Sequence, residues 1–207
     1  KFLYNTLSNA LTEVDDELFN CLKELKENHI GEEITLDDEL VEDLIKNKYG
    51  KLKLFLFGTP SRRDRKSLET LINDLGLCDR VIIKGRIPFD QVPGILKSAK
   101  ILVASQPKTR RAEGGFPTKM GEYFMTGVPA VLTDVGEIHK YVKDGVNAYL
   151  VEPENPQRYA DKLCYILDNY ETALATAKNA TDMIINNFSC KSAALRIEAF
   201  IRQLKDE

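Results

Sequence analysis

The sequence predicts an α/β fold, a parallel sheet sandwiched between layers of helices. Two observations point there. Short apolar runs alternate with segments whose apolar residues recur three and four apart, as in strands alternating with amphipathic helices. One run, Ile101 to Ser105, is apolar almost throughout, which fits a strand covered on both faces. Strands alternating with helices imply βαβ units and right-handed crossovers within one sheet.

In chain order, Phe2 to Tyr4 reads as a strand and Glu13 to Glu27 as a helix with Thr12 as cap and Leu18, Leu22 and Leu25 as its apolar stripe. Residues 30–48 hold two short apolar-acidic pieces and read as an insertion at one edge of a single domain spanning residues 1–207. Lys51 to Phe57 is a strand stopped by Gly58. Ser67 to Leu75 is a helix with Leu68, Leu71, Ile72 and Leu75 inward. Val81 to Ile83 is a strand ending at Gly85, and Phe89 to Ala99 a helix in which Pro93 and Gly94 mark a kink or a first turn. After Ile101 to Ser105 comes a loop, Gln106 to Phe116, then a helix from Pro117 to Met125 closed by Thr126-Gly127. Val128 to Leu132 and Ala148 to Val151 are further strands, with a short helix, Glu137 to Val142, between them. Asn155-Pro156 opens a helix to about Asn169, and Glu171–Asn186 and Lys191–Leu204 are helical.

Composition narrows the function. At 207 residues the chain can bury a proper core, and a net charge of -3 carries no basic excess of the kind nucleic acid requires. No apolar run approaches the roughly 18 residues of a membrane span, and the opening Lys1-Phe2-Leu3-Tyr4 is not a secretory signal. Starting on a strand without methionine, the chain is expected to be a fragment of a longer protein. Cys21, Cys78, Cys164 and Cys190 are widely spaced, and the histidines are His29 and His139, so no zinc site is expected. Free thiols in a reducing cytoplasm are.

The chemistry concentrates in E-G-G-F-P-T-K-M-G-E, Glu113 to Glu122. First-turn backbone N–H groups lack helical partners and face the positive end of the dipole, so an anion suits them. Gly114 and Gly115 allow close backbone approach, and Lys119 adds a full charge. Glu122, three residues on and on the same face, is acceptor-only when ionised and suits two sugar hydroxyls. A diphosphate beside a ribose satisfies both halves. The plainer reading is an ordinary loop, a first-turn Pro117 and a solvated Lys119/Glu122 face. Against it, the loop lies at the carboxyl end of a strand, as do Gly58-Thr59-Pro60, Gly85-Arg86-Ile87 and Asp134-Val135-Gly136, where parallel sheets bind ligands.

From about Leu52 to Ala160 these motifs, in order, resemble the C-terminal, donor-binding domain of a retaining GT-B glycosyltransferase of the group often called family 4. The stretch G-G-F-P-T-K-M-G-E-Y-F-M-T-G-V-P-A-V followed by T-D-V-G-E-I-H-K-Y-V carries the likeness. The resemblance implies a Rossmann-like domain, one half of a GT-B fold, with the N-terminal acceptor domain absent from this chain. It implies a nucleotide-diphospho-sugar donor as substrate rather than cofactor, with no metal. The nucleotide-sugar would sit at the glycine-rich helix mouth, Gly114 and Gly115, with diphosphate contacts on Phe116, Pro117, Thr118 and Lys119, the ribose on Glu122, and the nucleobase on Arg86 and Ile87. It further implies transfer with retention to a glycan or lipid-linked glycan, as in polysaccharide assembly, and a cytoplasmic site with peripheral membrane association through the missing half.

Two departures bear on activity. The family often has an earlier Glu eight residues before the ribose-binding one. That place is Gly114, so either Glu113, one position off, shifts in as the candidate catalytic residue, or the role is vacant. The family's basic loop after the first strand corresponds to Asn5–Thr12, which has no Lys or Arg, so Lys108, Arg110 and Arg111 are the alternative diphosphate contacts. These departures keep a non-catalytic nucleotide-binding or scaffolding domain in play. A sugar-nucleotide epimerase is the third reading, and His29 and His139 are poorly placed for it.

Overall fold

The computed structural model describes residues 2–6, 52–74, 76–114 and 118–206. The helix expected over Glu13–Glu27, the edge insertion at 30–48, and Gly115, Phe116 and Pro117 lie outside the described residues. Among the described residues six strands form one parallel sheet: β1 (Phe2–Thr6), β2 (Lys53–Phe57), β3 (Val81–Lys84), β4 (Ile101–Ala104), β5 (Ala130–Thr133) and β6 (Tyr149–Val151). Their spatial order is β3-β2-β1-β4-β5-β6. Leu3 stands in register with Leu54 of β2 on one side and Ile101 of β4 on the other. Strand order therefore reverses between β1 and β4, and the crevice of a doubly wound sheet opens there.

Alternation along each strand feeds two cores. Ile101, Val103 and Val131 join Leu54, Leu56 and Tyr149 on one face. There they meet helix α1 (Arg62–Asp74) through Leu68 and Ile72, and helix α5 (Pro156–Asp168) through Tyr159, Leu163 and Ile166. Leu102, Ala104, Ala130 and Leu132 face the opposite way. They pack on helix α2 (Val92–Ser98) through Leu96, and on helix α4 (Thr118–Phe124) through Met120, Tyr123 and Phe124. Helix α6 (Tyr170–Phe188) places Ala173 in the first core and Ala180 and Ile184 in the second. Helix α7 (Cys190–Asp206) follows it.

Several boundaries differ from those the sequence predicts. Helix α1 begins five residues early because Ser61 caps it. The Ser61 hydroxyl accepts from the Asp64 N–H at 3.2 Å and donates to the Asp64 carboxylate at 2.6 Å. Its first turn is wholly charged, so apolar period could not reveal it. Phe89–Ala99 divides into a single 3₁₀ turn, Phe89–Gln91, and α2, with Pro93 in the first turn. The short helix expected over Glu137–Val142 is a 3₁₀ turn at Ile138–Lys140. The Gln106–Phe116 loop contains a one-turn helix, α3 (Arg110–Glu113), whose cap Thr109 accepts from the Ala112 N–H at 3.1 Å.

Gly127 ends α4 at φ 69°, the left-handed conformation that closes many helices. A Cβ there would meet no atom within 4 Å. Gly127→Ala should therefore destabilise the chain through backbone strain alone, by roughly 1 kcal/mol, read as a lower urea midpoint with an unchanged slope.

Candidate functional site

The carboxyl ends of all six strands lie on one edge of the sheet, since the strands are parallel. Helix α4 reaches that edge with its inner face fully packed: Met120, Tyr123 and Phe124 are each at most 1% exposed. The Tyr123 hydroxyl donates to the Val103 carbonyl of β4 at 3.2 Å. At the far end the Thr181 hydroxyl of α6 donates to the Phe124 carbonyl at 2.6 Å, and the Thr126 hydroxyl to the Tyr123 carbonyl at 2.5 Å. These bonds satisfy carbonyls that a helix end otherwise leaves open. The aromatic pair in the sequence motif is thus core, and it anchors the residues between.

With positions 120, 123 and 124 inward, Lys119 falls at the edge of the buried stripe and Glu122 on the exposed face. Burial pushes the Lys119 ammonium down to about 8, and the Glu122 carboxylate one turn away draws it partly back up. A cation kept short of water in this way favours an anion that restores the lost solvation.

The other residues nominated from sequence spread along the same edge. Thr118 opens α4 and is exposed. Glu113 is exposed at the last position of α3, and Gly114 caps that helix at φ -91°, its N–H donating to the Arg110 carbonyl at 3.1 Å. Lys108 and Arg110 are exposed, and Arg111 lies on α3. Arg86 is exposed after β3, whereas Ile87 packs at the margin of the second core. The structure therefore brings Lys119 and Glu122 together, distributes Lys108, Arg110 and Glu113 over the preceding loop and α3, and holds Arg86 and Ile87 beyond β3. His139 stands on this edge too, its Nδ1 3.5 Å from the Asp134 carboxylate.

One arrangement had no sequence forecast. Thr133 at the end of β5 is 2% exposed, and its hydroxyl accepts from the Gln106 N–H at 2.7 Å and donates to the Gln106 carbonyl at 2.9 Å. A polar residue closing the apolar run A-V-L-T was the available signal. The bond ties the loop that leads into the motif to the neighbouring strand.

The depressed Lys119 pKa has a stability consequence. The folded value lies below the ordinary 10.5, so the charged form is penalised in the folded state. That penalty is complete below pH 8, falls through the interval up to about 10.5, and vanishes above it. Lys119→Met should thus stabilise the unliganded chain by roughly 1–3 kcal/mol at pH 7. Denaturant titrations should show the gain shrinking toward pH 10.

The model of the family described as glycosyl transferases group 1 matches residues 38–183. Alpha-D-kanosaminyltransferase of Streptomyces kanamyceticus is 27% identical over 140 residues, 68% of this chain and 35% of that protein. The chain spans about a third of the length of the first curated relatives it matches. Anabaena HepE, solved in complex with UDP and glucose, superposes with a TM-score of 0.71 at 18% identity, over 98% of this chain and 48% of that one. The C-terminal domain of LpcC, a glycosyl transferase group 1 family protein from Francisella tularensis, superposes with a TM-score of 0.67 at 19% identity, over 91% of this chain and 85% of that one. The likeness to both establishes the fold, and the family model covers more than half of the sequence. The chain belongs to the group 1 glycosyl transferases and carries a Rossmann-like domain of the C-terminal GT-B type.

Proposed function

We propose that this chain is the donor-binding half of a glycosyltransferase, holding a nucleotide-diphospho-sugar for transfer of its sugar to an acceptor. The observation that carries the reading is the pinned helix α4, which presents a partly desolvated Lys119 and an exposed Glu122 one turn apart beside the strand-order reversal. Lys119 meets the diphosphate and Glu122 accepts from the ribose hydroxyls. The UDP bound by HepE, a protein of the same fold, supports a nucleoside diphosphate as ligand.

Chemically, departure of the sugar leaves growing negative charge on the diphosphate. Preorganised donors stabilise such charge, on the order of 3 kcal/mol for each in well-studied oxyanion sites. Lys119 is one donor, and Arg110 and Lys108, exposed on the preceding segment, add cationic charge. Arg86 and Ile87 take the nucleobase. The acceptor, a glycan or lipid-linked glycan, binds to a half of the enzyme beyond this chain, and retention follows from the family likeness.

A second reading, a nucleotide-binding scaffold without transferase activity, draws on Gly114. That position, where the family often has its first Glu, is here a helix cap without a side chain, and Glu113 beside it is exposed. Both readings keep the diphosphate site. Calorimetric titration with UDP, GDP and ADP should reveal selective binding of one of them, and Glu122→Ala should weaken it about tenfold, or 1.4 kcal/mol. Equal affinity in the Glu122→Ala variant would remove Glu122 from the site.

A further inference from the structure

Gln106 and Asp134 follow the carboxyl ends of adjacent strands, β4 and β5, each two residues past the last register pair, Ala104 and Leu132. Both backbones are held. Gln106 is bonded through its N–H and its carbonyl to the buried Thr133 hydroxyl, and the Asp134 N–H donates to the Val151 carbonyl of β6 at 2.7 Å. Their side chains are nonetheless exposed, and Asp134 carries His139 3.5 Å away. Directly before Gln106, the Ser105 hydroxyl is buried and has no hydrogen-bond partner among the described residues, a group of the sort that a water or a ligand oxygen relieves. Fixed backbone beneath exposed polar side chains is the build of a recognition surface.

We propose that Gln106, with the Asp134–His139 pair, recognises the hydroxyls of the sugar being transferred. This rests on the donor-binding reading above and adds the place of the sugar to it. Helix α4, with Lys119 and Glu122, follows the same β4 connection that Gln106 begins. From a diphosphate held there, the nucleoside runs one way along the sheet edge, over β1 and β2 toward Arg86 and Ile87 beyond β3. The sugar leaves the other phosphate in the opposite direction, over β4 and β5. On that side stand the exposed Gln106 amide and Asp134 carboxylate. An amide both donates and accepts, and a carboxylate accepts twice, so together they match vicinal hydroxyls of a pyranose. Thr133 acts as a positioning residue, through the backbone of Gln106.

The test compares UDP with UDP-glucose and UDP-N-acetylglucosamine, and GDP with GDP-mannose, by calorimetry on the full 207-residue chain. Wild type should bind one nucleotide-sugar more tightly than its bare diphosphate. Gln106→Ala and Asp134→Ala should abolish most of that difference, about tenfold, while leaving the bare diphosphate within about twofold. Thr133→Val, checked for a native melting curve, should lose the same difference without Gln106 being touched. An undiminished sugar preference in Gln106→Ala and Asp134→Ala, with Glu122→Ala still weakening the diphosphate, overturns this proposal and leaves the donor-binding reading standing. Wild type that binds diphosphates with no preference for any sugar form also overturns it. Failure of wild type to bind any diphosphate overturns both.

Discussion

Met120, Tyr123 and Phe124 bury the inner face of α4 against β4 and β5, and the Tyr123 hydroxyl donates to the Val103 carbonyl. Fully burying three side chains of this size contributes several kcal/mol, at roughly 1.5–3 kcal/mol each. That packing tolerates a cation at Lys119 whose ammonium is short of water. Were α4 free to roll outward, Lys119 would hydrate and its charge would no longer be held ready for an anion. The hydroxyls of Thr126 and Thr181 close the other end of the helix, so both its rotation and its depth are set by contacts remote from any ligand.

The place of the site follows from sheet topology. Strand order reverses between β1 and β4, and in a doubly wound parallel sheet that reversal marks the crevice at the carboxyl edge. The β4 connection leads through α3 to α4, so the cationic segment with Lys108 and Arg110, the Lys119/Glu122 pair and the clamped Gln106 all descend from one strand end. The Thr133 hydroxyl, bonded twice to Gln106, couples this connection to β5. Exposed polar groups on the two loops thus share a rigid footing, and a footing fixed in advance limits the ordering that binding a ligand requires.

Period and punctuation made most of this legible beforehand. Alternating apolar runs located the strands, and Gly127 marked the end of α4. The failures share a physical cause. Helix α3 and the first turn of α1 are polar segments stabilised by the side-chain caps Thr109 and Ser61, and carry no apolar period. The Thr133–Gln106 clasp joins residues 27 positions apart, so no local pattern announces it. The motif gave Lys119 and Glu122 as a pair, but the depressed pKa of Lys119 depends on burial at the edge of a packed face, a property of tertiary structure.

The electrostatic state of Lys119 is the property on which anion binding at α4 most directly depends. Its side-chain ammonium can be titrated by NMR, free and then saturated with whichever nucleoside diphosphate binds. In the free chain the pKa should lie near 8, and the bound diphosphate should raise it toward the ordinary value, with proton uptake on binding between the two. A free value already near 10.5, or one that a bound diphosphate leaves unmoved, would contradict the claim that packing of α4 prepares this lysine for an anion.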